Sequence, residues 1–102
     1  MPRQVVFTSA ARADLDAIFE WIADRAGIDI ASSFAERIRS FCRGFVDFPE
    51  RGVKRDDLAP GLRLVGFRRR VTIAFSLQDD RIVIPRILYR GRNVTALLTE
   101  EG

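Results

Sequence analysis

From Ala10 to Ala26, apolar side chains recur every three or four residues at Ala11, Leu15, Ile18, Phe19, Ile22 and Ala26, while Asp14, Asp16, Glu20 and Asp24 mark the opposite side. This period matches the turn of an α-helix and predicts an amphipathic helix with one buried stripe. Thr8 or Ser9 is placed to cap its start by accepting a free first-turn N–H, and Gly27 ends it. Asp29 is the expected cap of a second helix, in which Ile30, Phe34, Ile38, Phe41 and Phe45 repeat the helical spacing until Phe48-Pro49 stops the run. The two segments predict a tight helical hairpin.

Elsewhere the period changes to two. Arg3-Gln4-Val5-Val6-Phe7, ahead of the first helix, reads as a short strand. The charged stretch Glu50 to Gly61, with two glycines and a proline, reads as a connector. Leu62 to Phe67 predicts a second strand. Arg70 to Leu77 alternates, with Val71, Ile73, Phe75 and Leu77 on one face and Arg70, Thr72, Ala74 and Ser76 on the other. After a turn at Asp79-Asp80, Arg81 to Tyr89 is apolar on both faces, and Pro85, which has no N–H to donate, implies an edge or a bulge. Asn93 is placed to cap a short C-terminal helix over Val94 to Leu98.

The order β-α-α-β-β-β, with that short final helix, predicts an α+β fold: an N-terminal strand and an antiparallel helical hairpin packed on a small, mainly antiparallel sheet. One sheet face is covered by helices and the other is expected to be available. At 102 residues the chain has room for one domain, residues 1–102.

Charge adds direction to this outline. Residues 1–50 carry six Lys/Arg against eight Asp/Glu, whereas residues 51–102 carry eleven against six, so the positive charge belongs to the strands. Sixteen of the seventeen basic residues are arginine, whose planar fork suits carboxylates and phosphates. Clustered on a sheet surface they would bind polyanions or an acidic peptide; as a solvated edge they would only block strand aggregation.

Conventional catalytic sets find little support. With no histidine, no Ser/His/Asp triad can be built, and neither a phosphate-binding loop nor a dinucleotide-binding glycine pattern is present. The adjacent carboxylates Asp56-Asp57, Asp79-Asp80 and Glu100-Glu101 fall in a loop, a turn and the terminus, which are ordinary solvated places. A lone Cys42 among Ile38, Phe41 and Phe45 reads as a small buried hydrophobe, and neither a metal site nor a cofactor is expected. The single cysteine and the lack of a long apolar run favour a reducing cytoplasm and no membrane association. Tyr89, flanked by Arg86, Arg90 and Arg92, suits base stacking, hydrogen bonding or proton transfer, and equally suits packing at a rim. Trp21 lies off the main stripe of the first helix, beside Arg25.

Several segments, in order, resemble the ParE branch of the ParE/RelE toxins of bacterial type II toxin-antitoxin modules. They are Val5 to Leu15 with Ile18 and Trp21-Ile22, Phe48-Pro49 with Gly52, Gly61-Leu62-Arg63, Arg70 to Phe75, and Ile82 to Asn93. The chain departs from a common family pattern at Tyr89, where many relatives have histidine, and at Asn93, where many have aspartate. The resemblance implies a compact toxin neutralised by a ParD-like antitoxin with a ribbon-helix-helix N-terminal domain. It also implies DNA gyrase as the target, bound and inhibited without enzymatic activity. The alternative within the superfamily is a RelE-like endoribonuclease that cuts messenger RNA in the ribosome, and an arginine-rich adaptor is a third reading. On this footing the expected target-binding residues are Arg63, Arg70, Arg86, Tyr89, Arg90 and Arg92. The expected antitoxin-binding residues are Trp21, Phe34, Phe41 and Phe45, because the apolar stripe of the second helix is wider than one core contact requires.

Overall fold

The computed structural model describes residues 3–89, and its elements follow the alternation of periods in the chain. Strand β1 (Gln4–Phe7) passes through Thr8 into helix α1 (Ser9–Ala26). Thr8 is extended and its hydroxyl accepts the Ala11 N–H at 3.1 Å, so the predicted cap is in place. Helix α1 turns Ala11, Leu15, Ile18 and Ile22 inward. Gly27, at φ 97°, is the entire link to helix α2 (Ile28–Arg43), a backbone conformation that side chains with a Cβ rarely adopt.

Two expectations for α2 are corrected. Asp29 is not its cap: the helix starts at Ile28, Ala31 donates to the Gly27 carbonyl, and Asp29 sits in the first turn, where its charge favours the positive end of the helix dipole. Ile30 is 57% exposed, and the buried residues are Ala31, Ala35, Ile38 and Cys42. The inner stripe is set by small residues, which let two helix axes approach closely. The helix ends at Arg43 and tightens into a 3-10 turn at Gly44–Val46.

The connector contains a two-residue strand, β2 (Val53–Lys54), that sequence periodicity could not register. It pairs antiparallel with β3 (Arg63–Phe67). Gly52, at φ 81°, makes this possible, since a Cβ there would collide with the Leu64 carbonyl oxygen. The rest of the loop is ordered by its own charges. Arg55 grips Asp57 through two bonds of 2.9 Å, and this hydrogen bonding holds the Asp57 carboxyl below its ordinary value.

Strands β4 (Val71–Gln78) and β5 (Arg81–Tyr89) complete a sheet of order β1-β5-β4-β3-β2, in which only β1 and β5 run parallel. Ala74 pairs with Arg86 but Ser76 with Val83, so Phe75 faces both Ile84 and Pro85. The bulge expected from Pro85 is present, and the extra residue lets Ile82, Ile84 and Ile87 all reach the core despite their uneven spacing. Phe45 stacks on Phe75 at 4.1 Å between centroids, amid Ile38, Ile73, Ile82, Ile84 and Ile87. Cys42 is buried there too, and desolvation pushes its thiol up to about 12 against a small opposing pull from Arg43.

The sheet face away from the helices is less open than expected. Ala74 and Ser76 are buried, because their short side chains lie across from longer Arg86 and Val83, and Gln78 folds back to donate to the Ser76 hydroxyl at 3.0 Å. The C-terminal helix expected after Asn93 lies outside the described residues. Among those described, no helix is long and apolar enough to cross a membrane.

Candidate functional site

Strand β1 is shorter than the strand it flanks, and the site arises from that mismatch. Pairing ends at Phe7 opposite Ile84, whereas β5 runs on to Tyr89. At the junction Thr8 donates its N–H to the Ile84 carbonyl at 3.2 Å and its hydroxyl to the Pro85 carbonyl at 2.9 Å. Helix α1 then lies beside the unpaired half of β5, leaving a groove of about 200 Å³ lined by Asp14, Ala17, Ile18, Trp21, Ile87, Leu88 and Tyr89.

Asp14 closes the floor of this groove. Its Oδ2 accepts the Ile87 N–H at 2.9 Å and the Arg86 Nε at 2.8 Å, while Oδ1 accepts Arg86 Nη2 at 3.0 Å. One carboxylate thus satisfies a strand-edge donor and a bidentate guanidinium, although by spacing it belonged to the solvated side of α1. No sequence signal marked it, since its partners are 72 and 73 residues away.

The upper wall is aromatic. Trp21 and Tyr89 meet with ring centroids 5.0 Å apart and planes tilted by 55°, and the Arg25 guanidinium covers the Trp21 ring at 3.9 Å. Arg25 also donates to the Trp21 carbonyl one helical turn back, which holds it there. Trp21 remains 40% exposed, whereas the Tyr89 hydroxyl is enclosed and has no hydrogen-bond partner among the described residues. This arrangement presents an amphipathic surface of the kind that anchors protein partners.

Among the described residues, the arginines expected to act together are spread apart. Arg63 donates to the carbonyl of Glu50 at 2.7 Å and, at 3.4 Å each, to those of Arg51 and Gly52, which braces the β2 connector. Arg70 is exposed at the β3–β4 turn, beyond the Phe67–Val71 pair, while Arg63 pairs with Phe75 roughly 13 Å further along the strand. Arg86 is engaged by Asp14. Tyr89 pairs with Val71 and so lies toward the Arg70 end of the sheet. Arg90 and Arg92 lie outside the described residues.

Of the four residues expected to receive an antitoxin, Trp21 is exposed and Phe34 and Phe41 are half-buried, with Phe67 at 6.0 and 5.0 Å respectively. Phe45 is corrected: it is fully buried against Phe75 and has no surface to offer. Helical spacing aligned all three phenylalanines, and docking of the hairpin on the sheet decided which became core.

The comparisons with known proteins agree with this architecture. Residues 5–94 match the family described as "ParE toxin of type II toxin-antitoxin system, parDE". Toxin ParE3 of Caulobacter vibrioides is 33% identical over 95 residues, spanning 93% of this chain and 94% of that protein. A solved structure described as "Chromosomal ParDE TA system from P. aeruginosa" superposes with a TM-score of 0.74 at 25% identity, over 86% of this chain and 96% of the other. The continuous match across both helices and all the long strands establishes that this chain belongs to the ParE toxin family of type II toxin-antitoxin systems.

Proposed function

We propose that this toxin acts by binding a protein, that its target is DNA gyrase, and that a ParD-like antitoxin holds it inactive in the cytoplasm. The observation that carries the protein-binding reading is the Trp21–Tyr89 wall. The only tyrosine is packed against an indole with its hydroxyl enclosed, and Arg86 is committed to Asp14, so neither is presented as an acid or base to an RNA phosphate. The same wall, with Arg25 over its outer ring, supplies an exposed aromatic anchor. The described structural relative is a ParDE system, which favours an antitoxin as the natural occupant of that wall and of the Phe34 and Phe41 flank. Target binding falls to the remaining arginines, Arg70 with Arg90 and Arg92.

The test is induced expression with DNA and protein synthesis followed separately, together with gyrase supercoiling and ribosomal messenger-cleavage assays on purified toxin. Replication arrest with loss of supercoiling, relieved by the antitoxin, is the expected result. Early translation arrest with cut messages would instead establish the RelE-like activity.

A further inference from the structure

A second surface, which shares no lining residue with the Trp21 groove, joins the β3–β4 turn to the first turns of α2. The turn Phe67–Arg70 is closed by the Arg70 N–H on the Phe67 carbonyl at 3.2 Å, and its central residues Arg68 and Arg69 have φ of 53° and 60°. Two successive positive φ values are the requirement that Asn-Gly normally meets in tight hairpins. Arginine at both places costs stability that glycine would not, so the backbone is held in a disfavoured form while three arginine side chains stand at its tip.

Beside this turn is a shallow cleft lined by Ile30, Ser33, Phe34, Arg37 and Arg68. Ile30 is exposed, and among the described residues no ion pair involves Arg37, Arg68, Arg69 or Arg70. Glu36, next to Arg37 in the helix, is engaged by Arg39 and Arg43, and Asp29 lies two turns from Arg37 at the far end of the cleft. The geometry points to a docking site for an acidic polypeptide segment: its carboxylates meet Arg37, Arg68, Arg69 and Arg70, and one apolar side chain enters over Ile30 and Phe34.

Charge complementarity selects an anionic partner, and the floor selects its class. The Phe34 ring is engaged edge-on by Phe67, and Arg68 lies over Phe67 at 5.5 Å. Phe34 is the one aromatic side chain among the residues lining the cleft, whereas single-stranded nucleic acid sites stack successive bases on several aromatic rings. Paired guanidinium forks around an apolar seat match carboxylates flanking a leucine-like side chain. The inference rests on the reading that this toxin works through protein contacts, and it specifies the chemistry of one contacted segment.

The test uses the full chain and a fluorescein-labelled peptide of Asp and Glu with a central leucine, read by anisotropy, so it does not depend on toxicity. Binding should weaken at least about tenfold in Arg37→Ala/Arg68→Ala, a loss typical of interface anchors, and should fall with added salt. Replacing the peptide leucine by serine should weaken binding to the parent protein but not to Ile30→Ser. Arg69→Gly is the separating variant: it should raise the unfolding midpoint while lowering peptide affinity, which a merely structural turn would not do. The proposal is overturned if the peptide does not bind, if binding is unchanged in the arginine variants, or if an RNA oligonucleotide of equal charge binds these arginines as tightly as the peptide.

Discussion

Asp14→Ala tests the reasoning about the groove most directly. The wild-type carboxylate receives three hydrogen bonds, two from Arg86 and one from the Ile87 N–H, and the Arg86 and Asp14 side chains are only 24% and 13% exposed. Removing one partner of a buried ion pair costs about 3–5 kcal/mol, most of it from the charge left behind. Partial exposure places this case at the lower end, about 3 kcal/mol, which includes the orphaned strand N–H. Asp14→Asn keeps an acceptor for Ile87 but loses the charge, and about 2 kcal/mol is expected from the same reasoning. Asp16→Ala, on an exposed position two residues away, should change stability by less than about 0.5 kcal/mol. Urea unfolding with fitted m-values measures all three, and the Asp14→Ala loss corresponds to a fall in Tm of roughly 10–20 °C. Because the pair is shielded, the loss should persist at high salt. A destabilisation by Asp14→Ala no larger than that of Asp16→Ala, at unchanged m, would refute the claim that this carboxylate ties α1 to the last strand.

Two further outcomes follow from the core and the aromatic wall. Cys42 should resist alkylation in the folded protein and react only on unfolding. Its folded pKa of about 12 lies above the ordinary 9.0, so its contribution is intact at neutral pH. That contribution declines as pH rises past 9.0 toward 12, where the unfolded thiol ionises first, by at most about 1.4 kcal/mol per pH unit. The urea-stability difference between parent and Cys42→Ala at pH 8 and 10 measures this, and stoichiometric labelling of folded protein would contradict it. Trp21→Ala, if the antitoxin occupies the wall, should cost about 2 kcal/mol or more of toxin-antitoxin affinity by calorimetry while leaving circular dichroism unchanged.

Much of the fold was legible from local chemistry. Thr8 and Gly27 bound the first helix because capping and left-handed conformations depend on residues close in sequence. Pro85 announced a bulge because a missing N–H is a property of the residue itself. Where the reading failed, the deciding partner was distant. Asp14 looked solvated until β5 was laid beside α1. Arg63 read only as a surface cation, and the fold alone gave it a bracing role on the carbonyls of Glu50, Arg51 and Gly52 ahead of β2.

Element type, order and the basic bias of the strands are therefore properties of the sequence alone, since periodicity, capping and charge count need no tertiary contact. Which residues of an apolar stripe become core was decided only by tertiary structure. Ile30, Phe34, Phe41 and Phe45 share helical spacing, yet they range from exposed through half-buried to fully enclosed once the hairpin settles on the sheet. The groove itself has the same origin: a short strand against a long one leaves an unpaired edge, and strand pairing is a long-range choice that one-dimensional periodicity does not encode.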